Sequence, residues 1–159
     1  MVNPLDLTGK HIVITGASSG IGRQSAIQAS RLGAHVTLIA RSEEKLRETV
    51  GQMDQPALHA CYAADLSETD QIEPLVQKIV SQRGAVDGFC HAAGMGEARP
   101  IRMIKPVFVE RMLRIHTYAF IELVRCLSLK GNVHTPGGGG GGGWGGVYGG
   151  GGGNGRGAA

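Results

Sequence analysis

The run Thr15-Gly16-Ala17-Ser18-Ser19-Gly20-Ile21-Gly22 follows directly on the apolar stretch Ile12, Val13, Ile14, and its glycines are spaced to hold an anion. A buried strand would deliver the chain to a tight turn at Gly16. Gly20 would let the backbone approach phosphates with no Cβ in the way, and Gly22 would let the following helix pack closely on the strand. The first N–H groups of that helix have no partner within it and carry its positive dipole end, so a pyrophosphate suits them. The spacing is not the commoner G-x-G-x-x-G. Further possible chemistry lies in six scattered histidines, His11, His35, His59, His91, His116 and His134, and in Cys61, Cys90 and Cys126. None has the helical or loop spacing of metal ligands, so no metal site is expected.

The elements that must position the glycine run alternate strand and helix. Lys10 to Thr15 reads as a strand, Gly20 to Leu32 as a helix closed by Gly33, and His35 to Ile39 as a second strand. Ser42 is placed to cap a helix over Lys45 to Met53. Ala57 to Tyr62 reads as a third strand, Glu68 to Gln82 as a helix ending at Gly84, and Val86 to Cys90 as a fourth strand. Pro106 to Leu129 repeats apolar positions at Met112, Ala119, Leu123 and Leu127, which predicts one long helix with proline in its first turn. This alternation predicts an α/β fold, a Rossmann-like doubly wound parallel sheet. Strands one to three build outward and strand four starts the other half.

Composition sets the bounds. The 159 residues leave room for about one domain, expected over 1–133. A net charge of +3 with both signs interspersed is too mild to imply a nucleic-acid or membrane surface. Three cysteines without C-x-x-C spacing argue for a reducing compartment, and no stretch approaches a signal core or membrane span, so a cytoplasmic location is expected. From Gly137 onward, 16 of the 27 glycines crowd into one stretch whose single charge is Arg156. The segment 134–159 is therefore expected to be a disordered Gly-rich tail. Either it is a flexible or non-native terminus, or Trp144, Tyr148 and Arg156 make it a weak RNA-binding segment.

Three ordered motifs carry a resemblance. Thr15-Gly-x-x-x-Gly-x-Gly22, Asp65-Leu66-Ser67 after strand three, and His91-Ala92-Ala93-Gly94 after strand four resemble the short-chain dehydrogenase/reductase family, in its classical branch, over about residues 5 to 133. The resemblance implies an NAD(P)-dependent oxidoreductase that moves hydride between a nicotinamide and a carbonyl or alcohol carbon of a small-molecule substrate, 3-oxoacyl thioesters included. It implies cofactor binding by Thr15, Gly16, Ser18, Ser19, Gly20, Ile21 and Gly22, by Asp65 and Leu66 near the adenine, and by Ala92, Ala93 and Gly94. It also implies a homo-oligomer in a complete form, with the long helix at the subunit contact. His91 stands where the family usually has asparagine, and His116 falls at the position of the family's helical asparagine, where it could hold the same water or backbone group.

Cofactor choice rests on charge after strand two. An NAD site normally has an acidic residue there for the ribose 2′-OH, but this chain has Ala40 and then Arg41, whose guanidinium suits a 2′-phosphate, so NADP is favoured over NAD. Catalysis is a different matter. A tyrosine with an ordinary pKa near 10 needs a cation beside it to work at neutral pH. Four residues after Tyr62, Tyr118 and Tyr148 stand Leu66, Glu122 and Gly152, so the family's Tyr-x-x-x-Lys is absent. The chain reads as C-terminally incomplete, truncated after about four strands and the long helix. The alternative to an active oxidoreductase is a non-catalytic dinucleotide-binding fragment. Met95, Gly96, Glu97 and Arg99 remain as its substrate-side residues. An uncovered strand-four edge predicts marginal stability and self-association.

Overall fold

The computed structural model describes residues 5–96 and 100–134. Strands β1 (His11–Thr15), β2 (His35–Ala40), β3 (Ala60–Ala63) and β4 (Gly88–His91) form one parallel sheet in the order β3-β2-β1-β4. The helices are α1 (Gly20–Arg31), α2 (Glu43–Val50), α3 (Ile72–Arg83), α4 (Pro106–Leu113) and α5 (Ala119–Leu127). Neighbouring residues of a strand face opposite ways, which is why β1 and β2 are apolar almost throughout. Val13 and Ile39 pack with Ile72, Val76 and Ile79 of α3 and Leu123 and Leu127 of α5. Ile14, Val36 and Leu38 pack on the other face with Ala26 and Ile27 of α1 and Leu46 of α2. The result is the doubly wound Rossmann-like sheet that the alternation predicts, with β1 and β4 meeting where the winding reverses.

Several boundaries move for local reasons. Ser42 does cap α2, its hydroxyl accepting the Lys45 N–H at 3.4 Å. Pro56 opens a 3₁₀ turn over Pro56–Leu58, with Gln55 left-handed before it, so β3 starts later than its apolar residues suggest. A second 3₁₀ turn, Thr69–Gln71, precedes α3. Asp87 N–H turns toward β1, donating to His11 O at 2.8 Å, so Val86 faces the opposite side. There Val86 N–H donates to Asn132 O (2.9 Å) and Val86 O accepts from His134 N–H (3.0 Å), forming a parallel bridge to Val133. The strand-four edge, expected to be open, is thus partly paired at its start. Apart from His134, the segment expected to be a disordered tail lies outside the described residues.

The predicted long helix is interrupted. Between α4 and α5, Arg114–Tyr118 forms a π-helical segment, a wider turn that releases backbone carbonyls from the i→i−4 ladder. Arg125 ties α5 to α3, its Nη2 lying 2.6 Å from both Glu73 Oε2 and Glu122 Oε1. With Cys126, these carboxylates make the one group of potential metal-ligand atoms among the described residues, and the guanidinium already serves as their counter-ion. At the amino ends of the strands two histidines are held in fixed tautomers. His11 donates through Nδ1 toward Gly84 O and Ala85 O and accepts from the Thr37 hydroxyl at Nε2 (2.8 Å). His59 donates through Nε2 to Asp54 O (2.8 Å) and accepts from Val36 N–H at Nδ1 (3.1 Å).

Candidate functional site

A cleft of about 630 Å³ opens at the carboxyl ends of the strands, beside the β1–β4 junction. It is lined by Gly16, Ser18 and Ser19 from the loop after β1, Ala40 at the end of β2 with Arg41, Ser42 and Lys45 beyond it, and Ala64, Asp65, Leu66 and Ser67 after β3. Ala92, Ala93, Gly94 and Met95 after β4 and Arg111 and Ile115 from the interrupted helix complete it. Nine of the residues expected to bind the cofactor therefore meet in one cleft, with Met95 from the expected substrate side. Thr15 and Gly22 are buried behind its wall, Gly20 and Ile21 sit exposed at the start of α1, and His116 stands beside Gly94 and Met95. Glu97 and Arg99 lie outside the described residues.

The glycine loop is held by close packing. Gly16 has φ +66°, and a Cβ there would lie 2.5 Å from Ala92 O, so this position needs glycine for both conformation and contact with the β4 loop. A Cβ on Gly22 would meet Gly16 O, which seats α1 directly on the loop. Ser19, at the N-cap, is extended and makes no side-chain cap, so the first N–H groups of α1 have no capping side chain. From behind, Arg23 Nη2 donates to Ser18 O at 2.6 Å, and the buried Thr49 hydroxyl of α2 donates to Ala17 O at 3.0 Å.

Three distant segments are joined by one hydroxyl and one imidazole. The fully buried Thr15 Oγ1 accepts Ala92 N–H (3.2 Å) and Ala93 N–H (3.1 Å) and lies 2.9 Å from His91 Nδ1. His91 Nε2 is 3.2 Å from Ile115 O in the π segment. A carbonyl only accepts, so the proton is on Nε2, Nδ1 is an acceptor, and the Thr15 hydroxyl donates to it. Packed near Phe89 and Phe120, the ring has a pKa held below the usual histidine value, first by burial, with the neighbouring His116 adding to the effect. His116 Nε2 lies 3.1 Å from Met95 N and 2.9 Å from Met95 O, and its ring covers Gly94 so closely that a Cβ there would strike it. The departure from a regular α-helix thus occurs where the long helix meets the cleft.

The electrostatics are one-sided. Arg41, Lys45 and Arg111 form no ion pair with any described residue, whereas Lys10, Arg23, Arg47, Arg114 and Arg125 each have a carboxylate partner. Among the described residues Asp65 is the only carboxylate in the lining. Its Oδ1 accepts the Ser67 hydroxyl (2.7 Å) and the Ser67 N–H (3.0 Å), which hold it below the usual carboxylate range, with Arg41 and Arg111 adding to the effect. Sequence reasoning missed Lys45 and Arg111. Arg111 had a signal: it sits three residues after Phe108 and four before Ile115, on a stripe otherwise apolar.

A profile of the short chain dehydrogenase family matches residues 10–130. The chain belongs to that family. It is 32% identical over 119 residues to a 3-ketodihydrosphingosine reductase of Bos taurus, covering 71% of this chain and 36% of that protein. It is 32% identical over 130 residues to a fatty acyl-CoA reductase of Mycobacterium tuberculosis, covering 80% of this chain and 44% of that protein. Among solved structures, a short chain dehydrogenase from Shigella flexneri complexed with NADP superposes with a TM-score of 0.70 at 32% identity, over 78% of this chain and 54% of the other. The chain thus spans 36–44% of the length of these two curated relatives. The described residues of this short-chain dehydrogenase family member include a cleft at the carboxyl ends of the strands, and His91 and His116 stand at two positions where the resemblance implies asparagine.

Proposed function

We propose that this cleft binds NADP(H) in preference to NAD(H), and that the complete short-chain dehydrogenase transfers hydride between it and a carbonyl or alcohol carbon. The observation that carries the reading is the trio Arg41, Lys45 and Arg111, without an ion pair among the described residues around a cleft that has Ala40 rather than an acidic residue at the end of β2. A 2′-phosphate brings about two negative charges, and an unpaired guanidinium can take it in a bidentate pair. When bound, the cofactor supplies or accepts the hydride. The chain's own residues bind and orient it: Gly16, Ser18 and Ser19 at the pyrophosphate, Arg41 at the ribose phosphate, Asp65 and Leu66 at the base, and Ala92 to Gly94 toward the nicotinamide. His116, fixed to Met95, is the residue placed to position a polar group on the substrate side.

The relatives that reduce 3-ketodihydrosphingosine or fatty acyl-CoA support a lipid-derived carbonyl as the substrate class, 3-oxoacyl thioesters among them. Exposed Val107, Tyr118 and Ile121 on α4, the π segment and α5 support self-association of the complete form. A second reading, binding without turnover, is favoured by the absence of Tyr-x-x-x-Lys from this sequence. Fluorescence titration with NADPH and NADH tests the cofactor assignment: Arg41→Asp should invert the preference, and an unchanged ratio refutes it. NADPH consumption over ketones and 3-oxoacyl thioesters separates the two activities, since binding with no turnover leaves only the module.

A further inference from the structure

Arg111 is a cation on the inward-facing stripe of α4, between buried Phe108 and half-buried Ile115, and it lines the cleft without a carboxylate partner among the described residues. It comes from α4, whereas Arg41 directly follows β2 and Lys45 lies in the first turn of α2. The lining contributed by its side and by the β3 loop is of another kind. Ala64, Leu66 and Ile115 are apolar, and the one carboxylate among the described lining residues, Asp65, has Oδ1 occupied by Ser67 while Oδ2 accepts nothing from the described residues. A flat aromatic base with an exocyclic amine fits this end of the cleft, because its N–H can be accepted by Asp65, its faces can rest on apolar side chains, and its π-face attracts a guanidinium.

We propose that Arg111 recognises the adenine ring of the dinucleotide through a cation–π contact, closing the base end of the cleft from α4, while the ribose phosphate is left to Arg41. This inference rests on the dinucleotide reading above. It gives the two arginines different ligand selectivities, which the absence of an ion pair alone does not.

The test is a binding titration of the full chain with NADPH, NADH and adenosine 2′,5′-bisphosphate, with no turnover required. Arg111→Ala should weaken all three by a common factor of about 10-fold, within the range of a partly desolvated cation–π contact. Arg41→Ala should weaken NADPH and the bisphosphate and leave NADH unchanged. Arg111→Met, which keeps the side-chain stem on the helix, should behave as alanine does, and unchanged circular dichroism of both variants assigns the loss to binding. Equal affinities in wild type and Arg111→Ala overturn the inference, as does a loss confined to the 2′-phosphorylated ligands. If Arg111→Ala weakens all three while Arg41→Ala alters none, the Arg111 assignment stands and the NADP preference falls. No binding of any ligand by wild type overturns both.

Discussion

Protonating His91 should unlock the joint between β1, the β4 loop and the π segment. In the folded chain Nδ1 must accept from the Thr15 hydroxyl, because Nε2 is committed to Ile115 O. A second ring proton would aim a donor at Thr15 Oγ1, which already accepts two N–H groups and is fully buried, so its own hydrogen would have nowhere to go. An unsatisfied buried donor costs about 1–3 kcal/mol. The folded-state pKa lies below the usual 6.5, so the unfolded chain takes up the proton first. Stability from this group is complete above about pH 6.5 and is lost as pH falls, by at most about 1.4 kcal/mol per pH unit. The loss levels off once the pH has fallen below the folded-state value. His11 and His59 are also lowered, first by burial, and each likewise has one nitrogen that accepts, from Thr37 and Val36. Wild type should thus lose stability with a slope of up to about three protons, and His91→Asn with about one fewer. Urea unfolding followed by circular dichroism between about pH 7.5 and about pH 5 measures both slopes. Parallel curves for the two proteins, or a wild type more stable in acid, would refute the reasoning.

Three further outcomes are expected. Gly94→Ala should cost about 1–3 kcal/mol by driving a methyl into the His116 ring, and Gly94→Ala/His116→Ala should recover most of it; additive losses in the double-mutant cycle would exclude that contact as the cause. Gly16→Ala should cost more, since about 1–2 kcal/mol for the left-handed backbone adds to the clash with Ala92 O, and an unshifted urea midpoint would contradict it. Thr37→Val should remove the donor that His11 Nε2 accepts and lower stability by about 1–3 kcal/mol at neutral pH, read from the same unfolding curves.

The strand, glycine loop and helix over residues 11–31 were legible because their signals are local: an apolar run, then glycines at fixed offsets, then a helical stripe. The charge after β2 was legible for the same reason. The π segment was not, because an apolar period tolerates one wider turn, and Ala119, Leu123 and Leu127 keep their phase beyond it. The partnership of His91 with Thr15 and Ile115 was hidden by sequence separation, and the bridge from Val86 to Val133 by its position next to the glycine tract. Arg111 was overlooked because a charge on a helix is ordinarily solvated; only its place on the inward stripe marks it.

The Thr15 hydroxyl finds its partners 76 to 78 residues away, and His91 reaches another 24 to Ile115 O. Bringing such remote segments together incurs a loop-closure entropy that nearby contacts avoid, and contacts of this kind slow folding. During synthesis the glycine loop would emerge long before the residues that seat it. Until the chain has extended past Ile115, α1 can form on β1, but the loop between them has no Ala92 and Ala93 wall fixed to the long helix. Cofactor affinity in a growing chain should therefore appear late and abruptly, well after the loop that carries the glycines has left the ribosome.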